Sequence, residues 1–188
     1  MIKIAKVCRI MTVPPLLVAG TVLYLKWSTD VFADYSQALY VLLYLAVIPA
    51  LAYFVQPLVP GLRHKGRSGQ RTLAMILSVT GYFSGVVTGY VTGVGRDVQL
   101  IYNTYLLSVI ILVVLNCLHV RASGHACSVM GPLIFLCIYG HYFIIPVCIV
   151  IGAAVTWSSL LLRRHTVRDL IFGASVSTLS LVCMQLIM

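Results

Sequence analysis

The stretch "QLIYNTYLLSVIILVVLNCL", residues 99–118, contains no Asp, Glu, Lys, Arg or His. It is as long as the run of about 20 apolar residues that crosses the hydrocarbon core of a bilayer as a helix. Comparable runs recur from one end of the chain to the other. Apolar residues fill 61% of the 188 positions, mean hydropathy is +1.02, and only 9% of residues are charged. A soluble domain is about 45–50% apolar and about 25% charged. The chain is therefore read as an all-α, polytopic transmembrane helical bundle of about six to seven spans. It forms a single integral-membrane domain over residues 1–188, with no room for a soluble domain.

Hydropathy and break residues predict helical segments at about 8–26, 36–59, 72–94, 99–118, 126–141, 143–162 and 169–188. The N-terminus "MIKIAKVCRIMTVPPLLVAGTVLYL" mimics a signal peptide, but its apolar run is too long and no small-x-small cleavage site follows. It is read as the first span. "GHYFIIP" (140–146) is read as the turn between the fifth and sixth spans. Six cysteines stand singly, almost all within apolar runs, and read as small buried hydrophobes rather than a disulfide or metal framework. Gly81, Gly85, Gly89 and Gly93, four apart, predict a smooth stripe on the third span for close helix packing or for a lipid chain.

Alternate connections must lie on opposite sides of the membrane. The N-terminus and the connections after helices two, four and six then share one face. That face carries Lys3, Lys6, Arg9, Arg63, Lys65, Arg67, Arg71, Arg121, Arg163, Arg164 and Arg168, eleven of the 13 Lys and Arg. Only Lys26 and Arg96 lie opposite, together with three of the four acids, Asp30, Asp34 and Asp97. Removing Lys65, Arg67, Arg71, Arg121 and Arg164 as suspected functional cations leaves the same bias. The positive-inside rule predicts a cytoplasmic rich face, with the N-terminus inside and the C-terminus outside. It also accounts for the net charge of +9 without a nucleic-acid partner.

The unusual residues concentrate on that face. "RHKGRSGQRT" (63–72), "HVRASGHA" (119–126) and "RRHTVRD" (163–169) follow helices two, four and six and include four of the five histidines. Arg67 and Arg71, Arg121 and His125, and His165 and Asp169 are each four apart, a spacing that shares one side of a helix start. A carboxylate that fixes the tautomer of a histidine and raises its basicity suits nucleophilic or general-base work. Arginines, lysine and the N–H groups of a Ser-Gly turn suit an anion, above all a phosphate. Lys3, Lys6, Arg9, Arg63 and Arg163 are read as interfacial flanks that snorkel to the headgroups. His64 and His119 are read as interfacial too, and His141 lies on the opposite face.

This pattern resembles the type-2 phosphatidic acid phosphatase superfamily, the integral-membrane lipid phosphate phosphatases, over roughly residues 63–173. Its Pro-Ser-Gly-His signature is matched by Ser123, Gly124 and His125, with Arg121 upstream and Ala122 for the proline. Its Ser-Arg-x5-His-x3-Asp signature is matched by Ser158, His165 and Asp169, with Ser159 in the arginine's place. The Lys-x6-Arg-Pro signature is matched loosely by Lys65 and Arg71, with Thr72 for the proline.

The resemblance implies that His165 attacks the phosphorus of a lipid phosphate and that Asp169 orients it. His125 would protonate the leaving oxygen and then activate water. Lys65, Arg67, Arg71, Arg121, Arg164, Ser123 and Gly124 would hold the phosphoryl oxygens. It implies no metal and no other cofactor, in keeping with Asp169 as the only acid on this face. The partner is a lipid phosphate within the bilayer: a phosphatidate, a phosphatidylglycerol phosphate or a polyprenyl phosphate or diphosphate. An intermediate of lipid synthesis made on the cytoplasmic leaflet of the plasma membrane suits such a site. A lipid phosphotransferase using the same histidine, a non-catalytic module that binds anionic lipid or transports an anion, and a histidine-ligated haem are the other readings. Oligomeric state stays open.

Overall fold

The computed structural model describes the whole chain, residues 1–188, as helices without strands. In chain order these are α1 (Ile2–Met11), α2 (Pro14–Ser28), α3 (Tyr35–Leu42), α4 (Ile48–Val55), α5 (Gly66–Thr92), α6 (Arg96–Cys117), α7 (Gly124–Tyr139), α8 (Ile145–Leu161) and α9 (Val167–Ile187). A π turn at Leu43–Val47 joins α3 to α4 without a break, so Tyr35–Leu58 is one apolar span. Five helices are long and apolar enough to cross a membrane, and α7 is a shorter apolar helix. The six segments expected after the first span are all found, with ends within a few residues of their predicted places except that α5 begins at Gly66 rather than about 72. "GHYFIIP" is a real turn: α7 ends at Tyr139, and Pro146 sits in the first turn of α8, where its missing N–H costs nothing.

The first predicted span differs. It is two helices, α1 and α2, bent by 52° across Thr12 and Val13. Pro14 and Pro15 lack the N–H groups that would continue α1, and the residue before a proline is driven out of the helical region; Val13 is extended accordingly. The bend turns α1 away from α2 and lays it against α8. There Cys8 Sγ lies 3.6 Å from the Ala154 carbonyl oxygen.

The most buried of the spanning helices is α6, which packs against α5 and α9. On the other side of the core, α7 packs against α2, α8 and α9. Between them runs an aromatic file, Tyr82–Tyr105–Phe135–Tyr139, with centroids 5.4, 6.2 and 6.1 Å apart. Leu25, Val41, Leu45, Val98, Tyr102 and Phe135 are among the most deeply buried side chains around it. Large apolar side chains such as Val91, Ile149 and Val150 face outward, as lipid contact requires.

Three of the four glycines of the predicted stripe do serve close packing. A Cβ on Gly81 would meet the Tyr44 carbonyl oxygen at 2.7 Å, and one on Gly85 would meet the Tyr102 ring at 2.7 Å. One on Gly89 would collide with the Gln99 side chain. Gly93 does not belong with them: it ends α5 in the left-handed conformation at φ 65° and nothing packs over it.

Candidate active site

Two helix ends place His119 and Arg163, and both are backbone devices. Each is a non-glycine residue at positive φ, 57° and 49° respectively, just past the last turn of α6 or α8. Val120 N–H closes onto the Leu115 carbonyl at 2.9 Å, and Arg164 N–H onto the Ser159 carbonyl at 3.0 Å. These six-to-one bonds are Schellman closures, which usually employ glycine at the left-handed position. They stop α6 and α8 sharply and send the chain back across the same end of the bundle. His64 is likewise outside the site: it is exposed, and its Nε2 accepts from Arg63 Nε at 2.7 Å.

The segment from Arg163 to Asp169 then starts α9. Thr166 is its N-cap: the Asp169 N–H donates to Thr166 Oγ1 at 3.2 Å, and the Thr166 N–H donates to Asp169 Oδ2 at 3.0 Å. This reciprocal capping box is worth about 1 kcal/mol and fixes Asp169 one turn beyond His165. The same Oδ2 lies 3.8 Å from His165 Nδ1, an ion-pair distance rather than a hydrogen bond. The carboxylate thus caps the helix and faces the imidazole at once. Burial, and then the nearby Arg9 guanidinium, hold His165 below the ordinary histidine range. Asp169 opposes that shift and Arg71 reinforces it. In the free protein His165 is therefore neutral at pH 7, with a lone pair to offer.

Ser123, fully buried, caps α7 by accepting the Ala126 N–H at 3.2 Å, while its own N–H donates to the Asp169 carbonyl at 2.8 Å. This second bond ties the His125 segment to the His165–Asp169 segment. Ser123 Oγ accepts here, and its O–H remains available as a donor. The N–H groups of Gly124 and His125, in the first turn of α7, are the ones without intrahelical acceptors and so the ones open to an anion. His125 Nε2 is buried with no partner, and so is Arg164 Nη1.

Gly173 makes this joint possible. A Cβ there would run into the Ser123 carbonyl oxygen and press Ala126 Cβ at 3.1 Å, and backbone cannot swing aside. Gly173→Ala is therefore expected to cost about 1–3 kcal/mol and at least tenfold in any activity of the site. Gly152→Ala, whose Cβ would meet only Leu133 at 3.8 Å, should leave both unchanged. Apparent Tm in detergent, read beside activity, checks the pair; equal behaviour of the two variants would refute the role of the α7–α9 joint.

Of the remaining predicted residues, Arg71 lies within electrostatic reach of His165 and Arg121 within reach of Asp169. Arg67, one turn before Arg71 on α5, lies within reach of Arg9. All three are exposed at the mouth of the site. Lys65 is exposed in the turn before α5, and no contact draws it toward the histidines. His141 is at the far end of the bundle, where its N–H donates to Tyr24 Oη at 3.4 Å.

No protein family, curated protein or solved structure matches this chain. The site has to speak through its own geometry.

One residue in it was not expected there. Arg9, read from the sequence as an interfacial flank, donates from Nη1 to Ser159 Oγ at 3.1 Å, across 150 residues of chain. It lies within electrostatic reach of both His125 and His165. Ser159 is fully buried, as is Ser158, whose hydroxyl donates to the Val155 carbonyl at 3.0 Å. The position where the resemblance expects an arginine thus receives a guanidinium from α1. Sequence offered one usable signal, the Pro-Pro break after Arg9, which predicts a change of direction but not its target.

Proposed function

We propose that this chain is a membrane lipid phosphate phosphatase that hydrolyses a phosphomonoester or diphosphate of a lipid through a phosphohistidine. The observation that carries this reading is the composition of one end of the bundle. His125 with an unpartnered buried Nε2 and a neutral His165 backed by Asp169 meet Arg9, Arg67, Arg71 and Arg121, with a single carboxylate among them. Such a surplus of donors and positive charge calls for an anion with several oxygens.

In the proposed mechanism the His165 Nε2 lone pair attacks phosphorus. The bond to the lipid oxygen breaks, and the leaving oxygen takes a proton from His125. Burial first, and then Arg9 and His165, push the pKa of free His125 down to about 4, and a bound phosphate supplies the negative charge that lets it hold that proton. As His165 becomes cationic, Asp169 at 3.8 Å balances it. Neutral His125 then takes a proton from water; the oxygen attacks the phosphohistidine, the P–N bond breaks and inorganic phosphate leaves. The arginines and the Gly124 and His125 N–H groups hold the charge on the non-bridging oxygens, the main contribution a protein makes to phosphoryl transfer. Because the site lies at the end of apolar helices, a lipid keeps its tails in the bilayer while its phosphate enters sideways.

Phosphate release by the purified protein from phosphatidate, phosphatidylglycerol phosphate and polyprenyl phosphates or diphosphates tests this reading. Silence across the panel would leave it without support, and transfer of the phosphoryl group to an added alcohol in preference to water would make the protein a phosphotransferase.

Sidedness has its own test. The charge bias favours a cytoplasmic site. A cysteine at Ser68, exposed in the first turns of α5, should resist a membrane-impermeant maleimide in intact cells and react after permeabilisation. Ready labelling from outside would reverse the orientation.

A further inference from the structure

Helix α1 has two unlike faces. Ile2, Ile4, Val7, Ile10 and Met11 are exposed apolar residues, Lys3 and Lys6 are exposed cations, and Ala5 is fully buried. An amphipathic helix of this kind suits the boundary between headgroups and acyl chains. An interfacial cation on such a helix would project outward, as Lys3 and Lys6 do. Arg9 instead turns inward and is half-buried, with its guanidinium against fully buried Ser159.

A guanidinium has five N–H donors. Only the bond to Ser159 uses one of them, and no carboxylate pairs with Arg9. Its charged and titratable neighbours are the basic Arg67, His125 and His165 and the Tyr53 phenol. Half-buried Arg9 and exposed Arg67 repel one another, and the one carboxylate of the cluster, Asp169, faces His165 and caps α9 rather than pairing with Arg9, which favours an anion at Arg9. Beside them, His125 Nε2 and Arg164 Nη1 are buried and unpartnered. These vacant donors come from three separate parts of the chain and share one end of the bundle.

We propose that Arg9 is a substrate-contacting residue whose guanidinium binds phosphoryl oxygens of the lipid phosphate, making the amphipathic helix α1 a wall of the active site. The identity of the anion rests on the phosphatase reading; the binding of an anion by Arg9 does not. Ser159, in this arrangement, is an anchor that aims the guanidinium.

The test uses the full-length protein in detergent, with two readouts: phosphate release from its lipid substrate and calorimetric binding of inorganic phosphate. Arg9→Gln, which removes the guanidinium and its charge but keeps a polar side chain, should lower kcat/KM by about 100-fold, as loss of one charge-stabilising donor does elsewhere. It should also weaken phosphate binding at least tenfold. Arg9→Lys, keeping charge but not the planar fork, should fall in between. Ser159→Ala removes the anchor but keeps the guanidinium, and should lose only a few-fold. Lys6→Ala, on the same helix but exposed, should match the parent in both readouts.

Arg9→Gln with parental turnover and binding would overturn the proposal, and so would a Ser159→Ala loss as deep as that of Arg9→Gln, which would make Arg9 a structural pin. A parent that hydrolyses no lipid phosphate yet binds inorganic phosphate in an Arg9-dependent way would sink the phosphatase reading and uphold Arg9. A parent that binds no phosphate would overturn both.

Discussion

His165→Ala is expected to abolish phosphate release, by about 10⁴-fold or more, the scale on which other covalent catalysts lose turnover with their nucleophile. Nothing near it can take over the attack. His125 lies on a different helix, and in the proposed mechanism its Nε2 serves the leaving group. The variant should still bind inorganic phosphate, because the arginines and the α7 N–H groups remain. Protein exposed to labelled lipid phosphate and quenched in alkaline detergent should carry an acid-labile, base-stable phosphoryl group in the parent and none in His165→Ala. A variant that stays as active as the parent would remove His165 from the mechanism.

The acid limb of kcat/KM follows from the same residue. His165 attacks only when neutral, so activity is present above its pKa and lost as pH falls through it. Burial and Arg9 lower that pKa from the ordinary value of 6.5, so the limb should lie below pH 6.5. Asp169→Asn removes the charge that raises the pKa and should move the limb to lower pH. Arg9→Gln removes one that lowers it and should move the limb to higher pH. Limbs that stay fixed in both variants would show that another group titrates.

His125→Ala carries the second large expectation, a loss of about 10²- to 10⁴-fold on lipid phosphates. Its dependence on the leaving group separates proton transfer from mere damage. A lipid alkoxide is a poor leaving group and needs the proton, whereas a nitrophenolate leaves without one. The variant should therefore recover most of its rate on an aryl phosphate presented in micelles. An equal loss on both substrates would mean that His125 holds the site together rather than donating a proton. His141→Ala, at the far end of the bundle, should match the parent on either substrate.

Much of this architecture is legible without coordinates, because a bilayer imposes a length and a polarity on each helix. Uncharged runs such as residues 99–118 and the turn at 140–146 declare themselves one at a time. The clusters around His125 and His165 are legible for a related reason. An even number of spans between them leaves one end of the bundle as their meeting place. The i,i+4 spacing of His165 and Asp169 also anticipates their proximity, though not the capping box that engages the carboxylate with Thr166.

Other features escaped because they depend on where a chain goes after it turns. The N-terminal stretch reads as one span, whereas Pro14 and Pro15 break it and the direction of the 52° bend lays α1 on α8. The bond from the Ser123 N–H to the Asp169 carbonyl, which ties the two clusters together, has no sequence signal. His119 and Arg163 look like interfacial cations, and their positive φ gives them a different task.

The sequence by itself determined the apolar segments after the first, their order, and which ends carry the basic clusters, since those follow from hydropathy and parity along the chain. Only the tertiary structure decided which cations face the histidines. Direction at a helix break and side-chain reach across helices are set by packing, which has no periodicity to read. For that reason Arg9, which reads as an interfacial flank, reaches Ser159 across 150 residues and points into the site.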